Sequence, residues 1–382
     1  MVAVATAQSA VSQNLGLRQA LLATAPRMRK KLGNFSSNGA PGGTTRIKLF
    51  NVGITTRILL QVNLAYTVGV AAATLSPKAP WNLIQKVKLT DYDGTDRINA
   101  SGYQLWMLDS VRAGTQPYGY NNTSAAQVLP APSAPIAVGA QTAQFQIEVP
   151  VAFNPSSDLR GALMTQTAVG EAYINIDWNS LMYASANADA VFNGAPTTTI
   201  TNTVISVDVF QEYLLPQALS NGQVPLPTID LMTVYEFAGA LKSADNIAAG
   251  QEKLFNYPNV RSVIGAYFNF VNNGVMNAAP TDISGFRLIA NGNNVLREYG
   301  ATDKLFEQRI AGGISGFSPM SDLRPGSYFE LHRDLPIQTA LYGNVQYGIT
   351  PLAANGGNQY FEVGFESFYT KGSTLPGLSQ TS

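Results

Sequence analysis

The chain has 382 residues, of which 45% are hydrophobic and 13% charged, with zero net charge, 34 glycines, 21 prolines and no cysteine. That length suits two domains of about 150–200 residues, and the apolar content excludes disorder for the bulk of it. The absent cysteines exclude disulfide stapling and thiolate metal centres. Charge at roughly half the usual ~25% implies a surface that is largely neutral and polar, or that faces copies of itself.

Along the chain, no basic stretch precedes an apolar run at the start, so no secretory signal is read, and no uncharged run is apolar enough to span a bilayer. Residues 9–25 read as a helix, with Val11, Leu15, Leu21, Leu22 and Ala25 near one face and Pro26 ending it. A basic cluster follows. Residues 1–90 hold eleven Lys and Arg and no acid; Asp91 is the first acid, and the rest of the chain sets thirteen basics against all twenty-four acids. A basic end on a neutral protein points one face toward something anionic, such as lipid headgroups or nucleic acid. Arg18, Arg27, Arg29, Lys30 and Lys31 are the candidate membrane- or neighbour-facing residues. The alternative is an ordinary arm packed on the parent fold with solvated charges.

Residues 34–45 form a Gly/Ser/Asn/Pro-rich linker, and from there the sequence turns to β. Phe145–Val149, Ile174–Trp178, Ile205–Val209 and Phe361–Glu366 alternate apolar and polar residues, the signature of strands with one face on a core and one in water. Further strands are predicted at Arg46–Phe50, Thr56–Leu64, Leu83–Leu89, Val260–Phe270, Gly285–Ala290 and Gln338–Ile349. Helical sequence is scarce: Ser101–Arg112, with Leu105, Leu108 and Val111 spaced for one face, and Ala301–Ile310. Short strands separated by long Pro/Gly loops argue for sandwiches or jelly rolls. The linker-like run Gln217–Pro227 divides the β sequence into comparable halves. No internal sequence repeat is visible.

A catalytic set is missing. The single histidine, His332, lacks a Gly-x-Ser-x-Gly elbow and reads as a surface or interface residue. Gly39–Thr45 lacks the lysine of a phosphate loop. Asp91–Asp96 has its glycine at position four, not six, and reads as a hairpin turn, not a calcium loop. Glu148 and Asp177 could pair for glycoside hydrolysis, but on alternating strands they read as the wet face. The sequons at Asn34 and Asn121 carry little weight without secretion, and Gly114–Pro135 is a long polar loop at an exposed rim or of functional use. No enzyme, cofactor or metal is expected.

Several ordered stretches carry a resemblance: Asn82–Val87, Ser101–Tyr103, Ser157–Ala162, Pro227–Tyr235, Tyr342–Val345 and Gly364–Phe368. In order and spacing, over roughly residues 50–370, the chain resembles the major capsid proteins of tectiviruses, in the double jelly-roll lineage that includes the adenovirus hexon. The resemblance implies an all-β chain with few short helices: two eight-stranded jelly rolls side by side, plus an N-terminal helical arm. The expected division is 1–43 helix and basic arm, 44–217 first jelly roll, 218–372 second jelly roll, and 373–382 tail. It also implies a homotrimer of pseudo-hexagonal outline, contacting neighbouring capsomers and penton or minor capsid proteins. These would form an icosahedral bacteriophage shell around an internal membrane and a double-stranded DNA genome, with no sequence-specific nucleic-acid binding. The expected location is the virion, and the host cytoplasm during assembly. Two other readings stand beside this one: a secreted carbohydrate-binding or carbohydrate-cleaving β-sandwich, and a host-binding spike or minor vertex protein.

Overall fold

The computed structural model describes residues 20–37, 42–113, 119–121, 135–165, 168–216, 233–243, 248–276, 282–304, 327–332, 336–352 and 359–370. In the first half, strands β1 (Arg27–Ser37), β2 (Thr44–Lys48), β3 (Ile54–Gly69), β4 (Ala73–Leu75), β5 (Ile84–Thr90) and β6 (Asp96–Ala100) precede helix α1 (Gly102–Ala113). They are followed by β7 (Gly119–Asn121), β8 (Gly139–Pro150), β9 (Leu163–Met164), β10 (Tyr173–Trp178), β11 (Phe192–Gly194) and β12 (Thr199–Leu214). The second half holds β13 (Thr233–Ser243), β14 (Lys253–Asn256), β15 (Ser262–Val271), β16 (Ile283–Ala290) and β17 (Asn294–Gly300). It ends with β18 (Ser327–Leu331), β19 (Ile337–Gln338), β20 (Val345–Pro351) and β21 (Tyr360–Thr370).

The two halves repeat one topology. The order β1-β12-β3-β8 in the first half is matched by β13-β21-β15-β18 in the second, and β2-β10-β5-β6 by β14-β20-β16-β17. Eight strands in two facing sheets make each half a jelly roll, and the fold is the double jelly roll expected. β4, β7, β9, β11 and β19 are short additions to this plan. All pairs within a roll are antiparallel, so each strand can bury one face and leave the other outward.

The first core lies between the sheets of the first roll, from Ile58, Leu60 and Val62 on β3 to Val87 and Leu89 on β5 and Ile174 and Ile176 on β10. The second gathers Phe268, Phe270, Phe286, Tyr347, Phe361, Val363 and Phe365. Phe268 stacks on Tyr347 with centroids 4.4 Å apart, and Phe270 on Phe361 at 4.5 Å. Tyr235, Phe237, Tyr267 and Phe368 of the second roll belong to the first core, so apolar packing runs through the boundary between the rolls.

One expectation changes, and another is met by the described residues only in part. The predicted N-terminal helix is described only over residues 20–24, where Leu21 packs with Ile54, Leu159 and Leu214; residues 1–19, Arg18 among them, lie outside the described residues. The basic run read as an arm is strand β1, paired along β12 from Arg27↔Leu214 to Ser37↔Ile205. The reason is local: Arg29, Lys31 and Asn34 meet Glu212 and Asp208 across the strand, so the charges are matched by the neighbouring strand. The Gln217–Pro227 linker and residues 305–310 of the second predicted helix fall outside the described residues; residues 301–304 are helical.

Candidate assembly surfaces

Two features bear on assembly: the seam that joins the rolls, and the basic edge formed by β1. At the seam, β6 and β13 pair in parallel, Phe237 beside Ile98 and Ala238 beside Asn99, so one sheet runs through both rolls. Helix α1 fills the space beside this pairing. Trp106 stacks on Trp81 at 4.0 Å, and Tyr103 shares a hydrogen bond of 2.8 Å with Ser327 of the second roll. Gly102 allows the close entry of α1, since a Cβ there would lie 2.3 Å from the Trp81 carbonyl oxygen.

Two buried ion pairs cross the seam, and both acceptors sit on β21. The Lys78 Nζ lies 2.8 Å from Glu362 and 3.2 Å from Asp189, with a 2.9 Å contact to the Tyr360 hydroxyl. Burial opposes the Lys78 charge, but Glu362, Tyr360 and Asp189 outweigh it and raise the ammonium well above the ordinary lysine range. The Arg112 guanidinium donates to Glu366 at 2.5 Å and to the Tyr235 hydroxyl at 2.5 Å, while Tyr267 donates to Glu366 at 2.9 Å. A cavity of about 70 Å³ beside the Lys78 cluster is lined by Asn82, Ser101, Tyr103, Asp189 and Glu362. A loop of the first roll completes the contact: Arg160 lies 4.5 Å from the Phe368 ring, and Gly161 accepts from Arg97 at 2.6 Å.

The polar positions of β21 therefore do not face water. The alternation Phe361–Glu366 is real, but Glu362 is 4% and Glu366 0% exposed. One face of β21 builds the second core and the other faces the first roll. Five of the six sequence stretches that carried the family resemblance converge here as well. Asn82, Ser101–Tyr103, Gly161, Tyr235 and Glu366 all line or brace the seam.

On β1, side chains alternate as strand geometry requires. Arg29 Nε donates to Glu212 at 2.7 Å, and Lys31 Nζ lies 2.8 Å from Asp208, with Phe210 between the two cations at 5.8 and 5.9 Å. Lys30 points the other way, 3.8 Å from the centre of the Phe50 ring. Arg27 donates to Ser156 Oγ at 3.2 Å. Arg57 ties Glu212 to Glu148 at 2.5 and 2.7 Å. Burial pushes Glu212 up, but Arg57 and Arg29 hold it below the usual carboxylate range; Lys31 and Asn34 do the same for Asp208. Arg27, Met28, Arg29, Arg57, Glu212 and Tyr213 border an open cleft of about 320 Å³. The structure brings Arg27, Arg29, Lys30 and Lys31 together on one exposed edge strand, with half their charge answered by Asp208 and Glu212.

The residues considered for chemistry have other partners. His332 is buried, shares a 3.1 Å contact with the Tyr257 hydroxyl, and burial pushes its imidazole down to about 4. The Asp91 carboxylate accepts from Arg97 Nε at 2.8 Å and from the backbone of Asp93 and Thr95, which makes Asp91–Asp96 the expected turn. Glu148 on β8 engages Arg57, and Asp177 on β10 accepts from Thr44 at 2.6 Å; they sit on different sheets. Among the described residues no cluster of three or more His, Cys, Asp or Glu could hold a metal ion, and no helix is long and apolar enough to cross a membrane.

Residues 3–217 match the sequence model of the family described as P3 major capsid protein N-terminal. The chain is 25% identical over 380 residues to the major capsid protein P3 of Enterobacteria phage PRD1, covering 95% of this chain and 93% of that one. Among solved structures it resembles the STIV MCP, with TM-score 0.64, 15% identity, and coverage of 91% and 97%. It also resembles a chain of the Sulfolobus turreted icosahedral virus, with TM-score 0.62, 16% identity, and coverage of 90% and 91%. The PBCV-1 virus capsid follows, with TM-score 0.54, 12% identity, and coverage of 94% and 98%.

Proposed function

Since the chain belongs to the P3 major capsid protein family and is a shell protein of the virion, we propose that it works as a homotrimer of pseudo-hexagonal outline. The trimers tile an icosahedral bacteriophage shell. The observation that carries this reading is the duplicated roll. Two lobes of one topology, joined by a continuous sheet and two buried ion pairs, form a rigid unit with two similar ends. Three such units supply six similar lobes, which is how a three-fold object fills a six-fold lattice position. Many weak lateral contacts then add through multivalency, in keeping with a charged content of only 13%.

The role is that of a building block, not a catalyst. The division near residue 217 into two rolls, and contacts with neighbouring capsomers and penton or minor proteins, belong to the same proposal. So does an internal membrane enclosing double-stranded DNA, met by the basic edge of Arg27, Arg29, Lys30 and Lys31 together with Arg18. The carbohydrate reading finds no support in the placement of Glu148 and Asp177.

The test of the trimer is the solution mass by light scattering behind size exclusion. A persistent species near three times 40.8 kDa is expected. A stable monomer at micromolar concentration overturns the capsomer reading.

A further inference from the structure

The seam inside the chain shows how one roll meets the next, and the repeated topology makes its counterpart identifiable on the outside. In the first roll the seam strand is β6; its equivalent in the second roll is β17. The β5–β6 ladder skips one residue between Leu89↔Ile98 and Thr90↔Asp96, and the β16–β17 ladder skips one between Leu288↔Arg297 and Ile289↔Val295. The skipped residues are Arg97 and Leu296. A helix starts five residues after each, at Gly102 and at Ala301, so the two strands align with a single numbering offset.

On the other side of the seam stands β13, whose equivalent is β1. Each is the first strand of its roll and pairs with the last, β13 with β21 and β1 with β12, and each slips register midway, after Ala238 and after Lys31. The last strands fix the alignment: β3 skips Thr56 opposite Glu212 and Tyr213 as β15 skips Ile264 opposite Glu366 and Ser367, so Gln211 matches Phe365, and Lys30, paired with Gln211, occupies the place of Ala238, paired with Phe365.

The members of the inner seam are buried: Arg97, Ile98 and Ala100 on β6, and Val234, Tyr235 and Phe237 on β13. Their equivalents are outermost strands whose free edges pair with no described strand. β17 is exposed at every residue except Tyr299, with Val295 at 43% and Leu296 at 44%, and β1 is exposed from Arg27 to Lys31, with Met28 at 43%. An open strand edge bearing apolar side chains is a site for pairing with another chain.

We propose that the β17 edge of one copy adds in parallel to the β1 edge of the next, so that the seam within the chain is repeated between chains. The inner rows Phe237 beside Ile98 and Ala238 beside Asn99 then become Arg29 of one copy beside Arg297 of its neighbour, each already held by its own carboxylate, Glu212 and Glu330, and Lys30 beside Glu298, a pair of opposite charge. The contact is heterologous, with one edge meeting a different one, and such contacts generate rings when the rotation closes. This inference rests on the capsomer reading and names the strands that build it.

Because the chain has no cysteine, single thiols can test it cleanly. Lys30→Cys and Glu298→Cys are prepared separately, mixed during assembly, sized under native conditions, and oxidised. The expected result is a covalent dimer of twice 40.8 kDa from the mixture and from neither variant alone, with the double variant running on to a covalent trimer. Val169→Cys, at a fully exposed loop position, replaces Glu298→Cys as the control and should give no dimer. A native oligomer that yields no cross-link in the mixture overturns this inference and leaves the capsomer reading standing. A parent protein that is monomeric overturns both. A variant that falls to monomer while the parent stays oligomeric places its side chain in the contact.

Discussion

Asp109 lies on α1 in a small cleft with Leu105, Leu108, Arg112 and Glu148. Burial, and then the Glu148 charge, push its carboxyl up to about 7 against the pull of Arg112 and Arg57. An unfolded aspartate titrates near ~3.9, so between those two values the folded chain holds the extra proton. The stability this group contributes is complete below the unfolded value and is lost as pH rises toward 7. Asp109→Asn keeps the shape and removes the titration. Its thermal midpoint relative to the parent should rise steadily from pH 4 to pH 7 and level off above. A gain that instead grows toward acid would show that the Asp109 carboxyl is not held protonated. At this scale the sequence was least legible. The glutamates of Phe361–Glu366 read as a wet face because period-two alternation reports two unlike faces, not what covers the polar one. Here Lys78 and Arg112, far away in the chain, cover it.

Elements were more legible, within limits that packing explains. Alternating strands fell inside β8, β10, β12 and β21 as read, and the helix expected over Ser101–Arg112 is α1 over Gly102–Ala113. Its single apolar face was too narrow a reading: Tyr103, Gln104, Trp106 and Ser110 are buried as well as Leu105, Leu108 and Val111. A helix between two lobes is covered on both sides, and only one lobe's demand shows as periodicity. β17 was missed because an exposed edge strand carries no buried face to impose a pattern, and β1 because its inward side chains, Leu32 and Phe35, are set out of period by the register shift after Lys31. The loop Ser157–Ala162 was conspicuous in the sequence, and its role is now physical. Gly161 has φ +84°, and a Cβ there would lie 2.3 Å from the Tyr235 Cβ. Gly161→Ala adds a left-handed conformation costing about 1–2 kcal/mol to an overpacked contact costing about 1–3 kcal/mol. A loss of about 3 kcal/mol in unfolding free energy is expected by denaturant titration. A loss under 1 kcal/mol would mean that the loop is not pressed against the second roll.

At the scale of the whole molecule, charge is segregated along the chain, but the fold disperses part of it. The acid-free first ninety residues include β1, and folding lays Asp208 and Glu212 of β12 against it. Of the four cations at 27–31, two are committed to carboxylates, so the edge presents less charge than its sequence suggests. Each Lys or Arg near an anionic bilayer is worth about 1 kcal/mol, so an edge with two uncommitted charges gains roughly 2 kcal/mol, about thirtyfold in binding. Changing Arg27, Arg29, Lys30 and Lys31 together to Gln removes that gain and also uncovers Asp208, which then repels the surface, while Glu212 keeps Arg57. Binding of the assembled protein to anionic vesicles at low salt should therefore fall at least thirtyfold. The native mass should hold, because a strand pairing built on backbone hydrogen bonds loses little with one exposed ion pair. Parent binding should weaken with added salt and vanish on neutral vesicles. Equal binding of parent and variant at low salt would remove the lipid contact from the basic edge. It would leave β1 with one partner surface, the neighbouring subunit, where Glu298 is the acid that meets it.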